Sequence, residues 1–154
     1  MANHSIIVKN YSNVFEELEA NAAITPGHLV ELMSTEKIRV HATSAGNALP
    51  MFALEDELQG NGIDDDYAAE DQVRVWIPGR GDIVYALLAN GETAVIGSFL
   101  ESNADGTLKV YTADLASDDV TIYPLQIVGQ AIEAVDMSGS SGVDPDGRIK
   151  VRIV

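Results

Sequence analysis

Gly27-His28-Leu29-Val30-Glu31, followed after a short gap by Ile38-Arg39-Val40, reads as a β-hairpin. The same order returns in Gly97-Ser98-Phe99-Leu100-Glu101 with Leu108-Lys109-Val110, and again in Gly129-Gln130-Ala131-Ile132-Glu133 with Ile149-Lys150-Val151. Each copy is a glycine, an alternating segment with a glutamate, a turn, and a second alternating segment with a base. Alternation of apolar and polar residues is the period of a half-buried strand, and repetition makes the signal stronger than one match. The chain therefore reads as pseudo-equivalent hairpins, with architecture rather than chemistry repeated.

Register follows from the same alternation. If Met33 faces Lys37, Glu31 faces Arg39, and Val30, Leu32, Ile38 and Val40 share the inward face. In the second copy Glu101 faces Lys109, with Leu100, Leu108 and Val110 inward. Its loop Ala104-Asp105-Gly106 places glycine where a three-residue hairpin loop needs positive φ. The first copy has Glu36 at that point, so its turn must differ or be strained. The third copy is expected to send Ile132, Ala134, Ile149, Val151 and Ile153 inward and Glu133 with Lys150 outward. Its loop, Asp136 to Gly147, is the longest of the three.

Working outward, Val73 to Ile77 and Ile83 to Leu88 read as two further strands, separated by Pro78-Gly79-Arg80-Gly81. Phe52 to Leu58 carries weak helical spacing and stops at Gly60. Residues 1–22 form a distinct opening: Ile6-Ile7-Val8 suits a short strand, and Val14 to Leu18 a helical turn or an extended arm. The division expected is 1–22, an N-terminal arm or first strand, and 23–154, one β domain. Many short strands, frequent turn signals and little helix give a mainly β, small single-domain barrel or sandwich, β-tulip or jelly-roll-like.

A chain of 154 residues is long enough for one good core. Its net charge of −15 argues against a general nucleic-acid or anionic-membrane surface and favours a partner with a basic face. There is no cysteine, hence no disulfide, thiolate metal site or cysteine nucleophile. The opening residues carry neither a basic head nor a long apolar run, so no signal peptide is expected. No apolar run approaches the ~20 residues of a membrane-spanning helix.

Catalytic constellations are hard to find. The acidic stretch from Glu55 to Asp71 lacks the alternating carboxylates and glycine of a calcium loop and reads as a solvated loop. Asp144-Pro145-Asp146-Gly147 reads as a turn. His4, His28 and His41 have no metal-ligand spacing and no serine or carboxylate partner in a nucleophile motif. Pro78-Gly79-Arg80-Gly81 lacks both a Walker lysine and dinucleotide spacing. Trp76 and Tyr85 read as core or subunit packing. Gly62-Ile63-Asp64-Asp65-Asp66-Tyr67 faintly resembles a substrate loop of trimeric dUTP pyrophosphatases, but the Gly-rich closing arm of those enzymes is missing. No enzyme, cofactor or metal is expected.

Ala22 to Leu32, set beside Ile127 to Ala134 and Arg148-Ile149-Lys150-Val151-Arg152-Ile153-Val154, resembles the capsid decoration (cement) proteins of tailed bacteriophages. Tyr67 to Val75 and Arg80 to Leu87 are similar to the central strands of that group, with Glu70 where related sequences often carry glycine. The resemblance spans roughly residues 20–154 and rests on the order of strands and turns. It implies a structural virion protein made in the host cytoplasm and placed on the outer surface of an icosahedral head. Such proteins commonly bind the major capsid protein as homotrimers at three-fold and quasi-three-fold positions and stabilise the expanded shell. The candidate capsid contacts are Ile6, Ile7, Val8, Tyr11 and Phe15 of the opening segment. Arg148, Lys150 and Arg152 join them, as alternate residues on one face of the last strand. A tail or baseplate β-module and a carbohydrate-binding barrel are the alternatives from the same strand economy.

Overall fold

The computed structural model describes residues 4–113, 123–140 and 147–154. The expected turn at Asp144-Pro145-Asp146 and much of the Asp136–Gly147 loop lie outside the described residues. In chain order the strands are β1 (Ile7–Lys9), β2 (Phe15–Glu19), β3 (Val30–Leu32), β4 (Ile38–Val40), β5 (Phe52–Ala53), β6 (Gln72–Trp76), β7 (Ile83–Leu87), β8 (Thr93–Ala94), β9 (Phe99–Ser102), β10 (Leu108–Val110), β11 (Ile127–Ala131), β12 (Val135–Asp136) and β13 (Arg148–Ile153). They form a six-stranded sheet in the order β1-β7-β13-β11-β9-β10, a three-stranded sheet β2-β6-β5, and the pairs β3-β4 and β12-β8. The fold is mainly β, as expected, and no closed barrel forms among the described strands.

The unit repeated most faithfully is smaller than a hairpin. Thr25-Pro26-Gly27-His28, Ala68-Ala69-Glu70-Asp71, Gly79-Arg80-Gly81-Asp82 and Val95-Ile96-Gly97-Ser98 are four turns of one design. In each, the fourth residue's N–H donates to the first residue's C=O at 3.0 to 3.2 Å. The third residue takes positive φ: 94° at Gly27, 73° at Glu70, 93° at Gly81 and 93° at Gly97. The fourth residue's side chain then reaches back and accepts the first residue's N–H. His28 Nδ1 does so at 3.0 Å, Asp71 Oδ2 and Asp82 Oδ2 at 2.8 Å, and Ser98 Oγ at 3.2 Å. Each turn thus satisfies the N–H and C=O of its first residue from within and launches a strand: β3, β6, β7 or β9.

Glu70 is the non-glycine in this series, and its left-handed backbone costs an L-residue roughly 1–2 kcal/mol. Part of the gain from glycine is offset by the unfolded chain's extra freedom. Glu70→Gly is therefore expected to stabilise the protein by about 0.5–1 kcal/mol, a rise of about 2–3 °C in Tm for a domain of this size. A scanning-calorimetry Tm at or below wild type would show that the turn stores no strain.

The hairpin registers hold in the first two copies. Glu31 pairs with Arg39 and Glu101 with Lys109. Glu36 has φ 64°, the strained turn anticipated there, and Gly106 has φ 80°. Val30, Ile38, Leu100 and Leu108 are buried, whereas Leu32, at the outer end of its strand, is exposed. The third copy differs. Its register is irregular between Ile127 and Gly129, where β11 meets β9. That shift buries Val128 and Ala131 and leaves Ile132 partly buried and Ala134 exposed, while Ile149, Val151 and Ile153 on β13 are buried as expected. Nor are the three copies equivalent in space: β9-β10 and β11-β13 lie in one sheet and β3-β4 outside it. The expected helical spacing in Phe52 to Leu58 is also overturned. Phe52–Ala53 pairs with β6, and only Glu57–Gln59 forms a 3-10 turn, ended by Gly60 with φ 80°.

Two cores share one partition. Trp76 and Phe52 point into the larger core with Ile6, Val84, Leu100, Ile149 and Val151. Their neighbours Val73, Val75 and Ala53 point the other way, onto Ala20, Ile24, Val30, Ile38, Met51 and Tyr67. Alternation along β6 and β5 therefore feeds both cores from one thin sheet.

Candidate interaction surface

The opening segment is built into the domain. β1 pairs with β7 and β2 with β6. Ile6 lies in the large core, and its N–H donates to Glu55 Oε2 at 3.2 Å. Its side chain has no surface to offer a partner, which removes it from the candidate contacts. Between the two strands the chain is latched by a buried carboxylate. Asp82 accepts the N–H of Tyr11 at 2.7 Å and of Ser12 at 3.3 Å, besides that of Gly79. Trp76 Nε1 donates to the Ser12 carbonyl at 3.1 Å, and Ser12 Oγ donates to the Ile77 carbonyl at 3.1 Å. What this latch holds outward is apolar: Val8, Tyr11, Val14 and Phe15 are all exposed, and Lys9 Nζ sits 5.4 Å from the Tyr11 ring centre. Ile7 is partly buried against the large core.

The three bases of β13 do not form one basic surface. Arg148 is turned inward, and its guanidinium donates to the carbonyls of Pro26 at 2.8 Å and Ile63 at 2.5 Å. It also reaches Asp64 at 3.3 Å and lies 5.9 Å from the Tyr85 ring centre. This residue ties a turn and a loop to the sheet and is not available to a partner. Lys150 is 3.7 Å from Glu133, its expected cross-strand mate. Arg152 alone of the three is exposed.

His28 and His41 are structural. Burial holds His28 at a pKa of about 4 against the attraction of Asp105 and Asp66, with Arg148 adding to the depression. A folded-state pKa below the unfolded 6.5 means that the unfolded chain takes up the proton first as pH falls. The stabilisation is full above pH 6.5 and is lost progressively toward pH 4, by up to about 3 kcal/mol. His28→Asn keeps an acceptor for the Thr25 N–H but cannot titrate. Urea unfolding at pH 7 and 4.5 should show a smaller acid loss in this variant than in wild type. Equal losses would place the acid sensitivity elsewhere.

His41 has partners that sequence spacing did not reveal. Its Nδ1 is 2.7 Å from Ser102 Oγ, its Nε2 is 2.8 Å from the Asn47 carbonyl, and Glu31 Oε2 lies 3.6 Å away. Serine, histidine and glutamate are the ingredients of a hydrolytic triad, yet Ser102 has no exposed surface and Ser102 Oγ already accepts the Ala104 N–H. A nucleophile must be reached by substrate, so this network fastens β4 to β9 instead. The acidic loops border an open, polar cleft of about 490 Å³ that includes Asp56, Asp65, Asp66 and Asp71. Among the described residues no three His, Asp or Glu side chains converge as metal ligands would.

No protein-family profile matches the chain, and no curated protein matches it in sequence. A solved structure does share its fold: the N base of head fiber gp8.5 in bacteriophage phi29 superposes with a TM-score of 0.54 at 14% identity. The likeness covers 92% of this chain and 93% of that one. It is a likeness of fold along nearly the whole of both chains.

Proposed function

We propose that this protein is a structural component of a bacteriophage virion, carried on the outside of the head. The observation that carries this reading is the fold likeness, over nearly the whole of both chains, to the N base of a phage head fiber. The resemblance of its strand-and-turn order to decoration proteins supports the same conclusion. So does the surface, which offers exposed apolar residues on a latched edge and an overall charge of −15 suited to a basic partner.

In the finer form of the proposal the protein binds the major capsid protein as homotrimers at three-fold and quasi-three-fold positions and stabilises the expanded shell. The test uses the purified protein and empty heads of the phage that encodes it. Light scattering should give three times the 16.4 kDa of one chain. The protein should co-sediment with expanded heads and not with unexpanded ones. Absence of binding to both kinds of head would overturn the virion-surface reading, and a monomer that binds expanded heads would overturn only the trimer.

A further inference from the structure

We infer that the outer edge of β2 is a docking strand that takes up an extended, basic segment of the shell protein by β-strand addition. The partner's identity rests on the virion reading above; the edge itself stands on the geometry of β2.

Backbone parity defines that edge. Val14 C=O accepts the Ile77 N–H at 3.0 Å and the Ala20 N–H donates to the Asp71 carbonyl at 2.9 Å, so even-numbered residues of this segment face β6. The N–H and C=O of Phe15, Glu17 and Glu19 therefore point the other way. Past the end of the strand the same edge does find a partner: the Asn21 N–H donates to the Ile38 carbonyl at 2.8 Å. Upstream, no described residue bonds to the backbone of Phe15 or Glu17. A strand placed there would continue the line that β4 begins.

The side chains say what could occupy it. Both faces of β2 are open at this end, with Val14 51% and Phe15 46% exposed beside the exposed Glu16 and Glu17. Three of the five residues of β2 are glutamate and none is basic. A second copy of the edge would set glutamate against glutamate, which disfavours self-pairing. A strand with Lys or Arg at alternate positions meets opposite charge on its way in and an apolar shelf at Phe15 once seated. The Asp82 latch keeps the strand in place, so little ordering is needed on binding.

The probe is a blocked Lys-Val-Lys-Val-Lys-Val peptide, with Glu-Val-Glu-Val-Glu-Val as control, read by amide hydrogen exchange and by titration. The basic peptide should slow exchange at Phe15 and Glu17 at least tenfold, and the acidic one should not. Glu17→Pro removes an outward N–H while leaving the bonds to β6, as proline is tolerated on edge strands. It should keep the wild-type Tm and bind the basic peptide at least tenfold more weakly than Glu17→Ala, which keeps the N–H. Unchanged exchange at Phe15 and Glu17 in the wild-type protein overturns the inference whether or not the proline variant folds. Proline-variant binding to expanded heads at wild-type strength overturns it for the shell. Failure of the wild-type protein to bind heads, with the peptide result intact, overturns the virion reading and leaves the docking strand.

Discussion

Gly27→Ala is expected to destabilise the protein by about 3 kcal/mol, while the same substitution at Gly81 or Gly97 costs about 1 kcal/mol. The three glycines hold the same place in the same turn, with φ of 94°, 93° and 93°. A Cβ in that region carries a strain of roughly 1–2 kcal/mol at all three. Their surroundings differ. A Cβ at Gly81 or Gly97 would meet nothing within 4 Å. At Gly27 it would lie 2.5 Å from an Arg148 guanidinium nitrogen and 3.1 Å from the Tyr85 carbonyl oxygen. Backbone and a buried, hydrogen-bonded side chain cannot both give way cheaply, and overpacking of this kind adds about 1–3 kcal/mol. Urea unfolding of the three variants would check the ordering. Equal losses would mean that Arg148 moves aside without cost and that turn strain is the whole effect.

Arg148→Ala should cost more, about 3–4 kcal/mol. It strands the buried carbonyls of Pro26 and Ile63, and hydrogen bonds from a charged donor are worth about 1.5–3 kcal/mol each. It also empties the space beside Tyr85. Arg148→Lys should recover little, because a single ammonium cannot fork to two separated carbonyls. Asp64→Ala should change stability by less than about 0.5 kcal/mol, since that carboxylate is largely in water. If the aspartate variant lost as much as the alanine variant of Arg148, the ion pair and not the two carbonyls would be the reason for burial. Gly27→Ala and Arg148→Ala touch the same joint, so their losses should not add.

Much of the scaffold was legible because it is written locally. Val73 to Trp76, Ile83 to Leu87 and Ile149 to Ile153 alternate or run apolar between turn residues, and they are strands. Glu36 and Glu70 stand where glycine fits best and take positive φ. What escaped was fixed by contacts distant in sequence. Phe15-Glu16-Glu17-Leu18-Glu19 has no strand period of its own and is a strand because β6 pairs with it residue for residue. Arg148 reads as one of three alternating surface bases, but a turn near residue 26 and a loop near residue 63 close over it. In the third hairpin Ile149, Val151 and Ile153 face inward as read, but Ile132 and Ala134 do not, because an irregular register beside Gly129 resets the alternation, which no local pattern announces. Of the surface contacts expected from sequence, Val8, Tyr11, Phe15 and Arg152 are exposed, Ile7 and Lys150 partly, and Ile6 and Arg148 are inside. Asp82, which positions the exposed group, gave no sign, because Tyr11 and Ser12 lie some seventy residues before it.

The sharing of one thin sheet by two cores also sets a timetable for synthesis. Every buried residue of the smaller core lies between Ala20 and Val75, so its parts are all translated before β7 begins at Ile83. The larger core must wait. Its six-stranded sheet has β13 near the middle, between β7 and β11, and β13 comes after every other described strand in chain order. Until residues 148–153 emerge, β7 and β11 are edges facing an empty slot. The smaller core can settle early, and the larger is completed only when the six residues of β13 arrive.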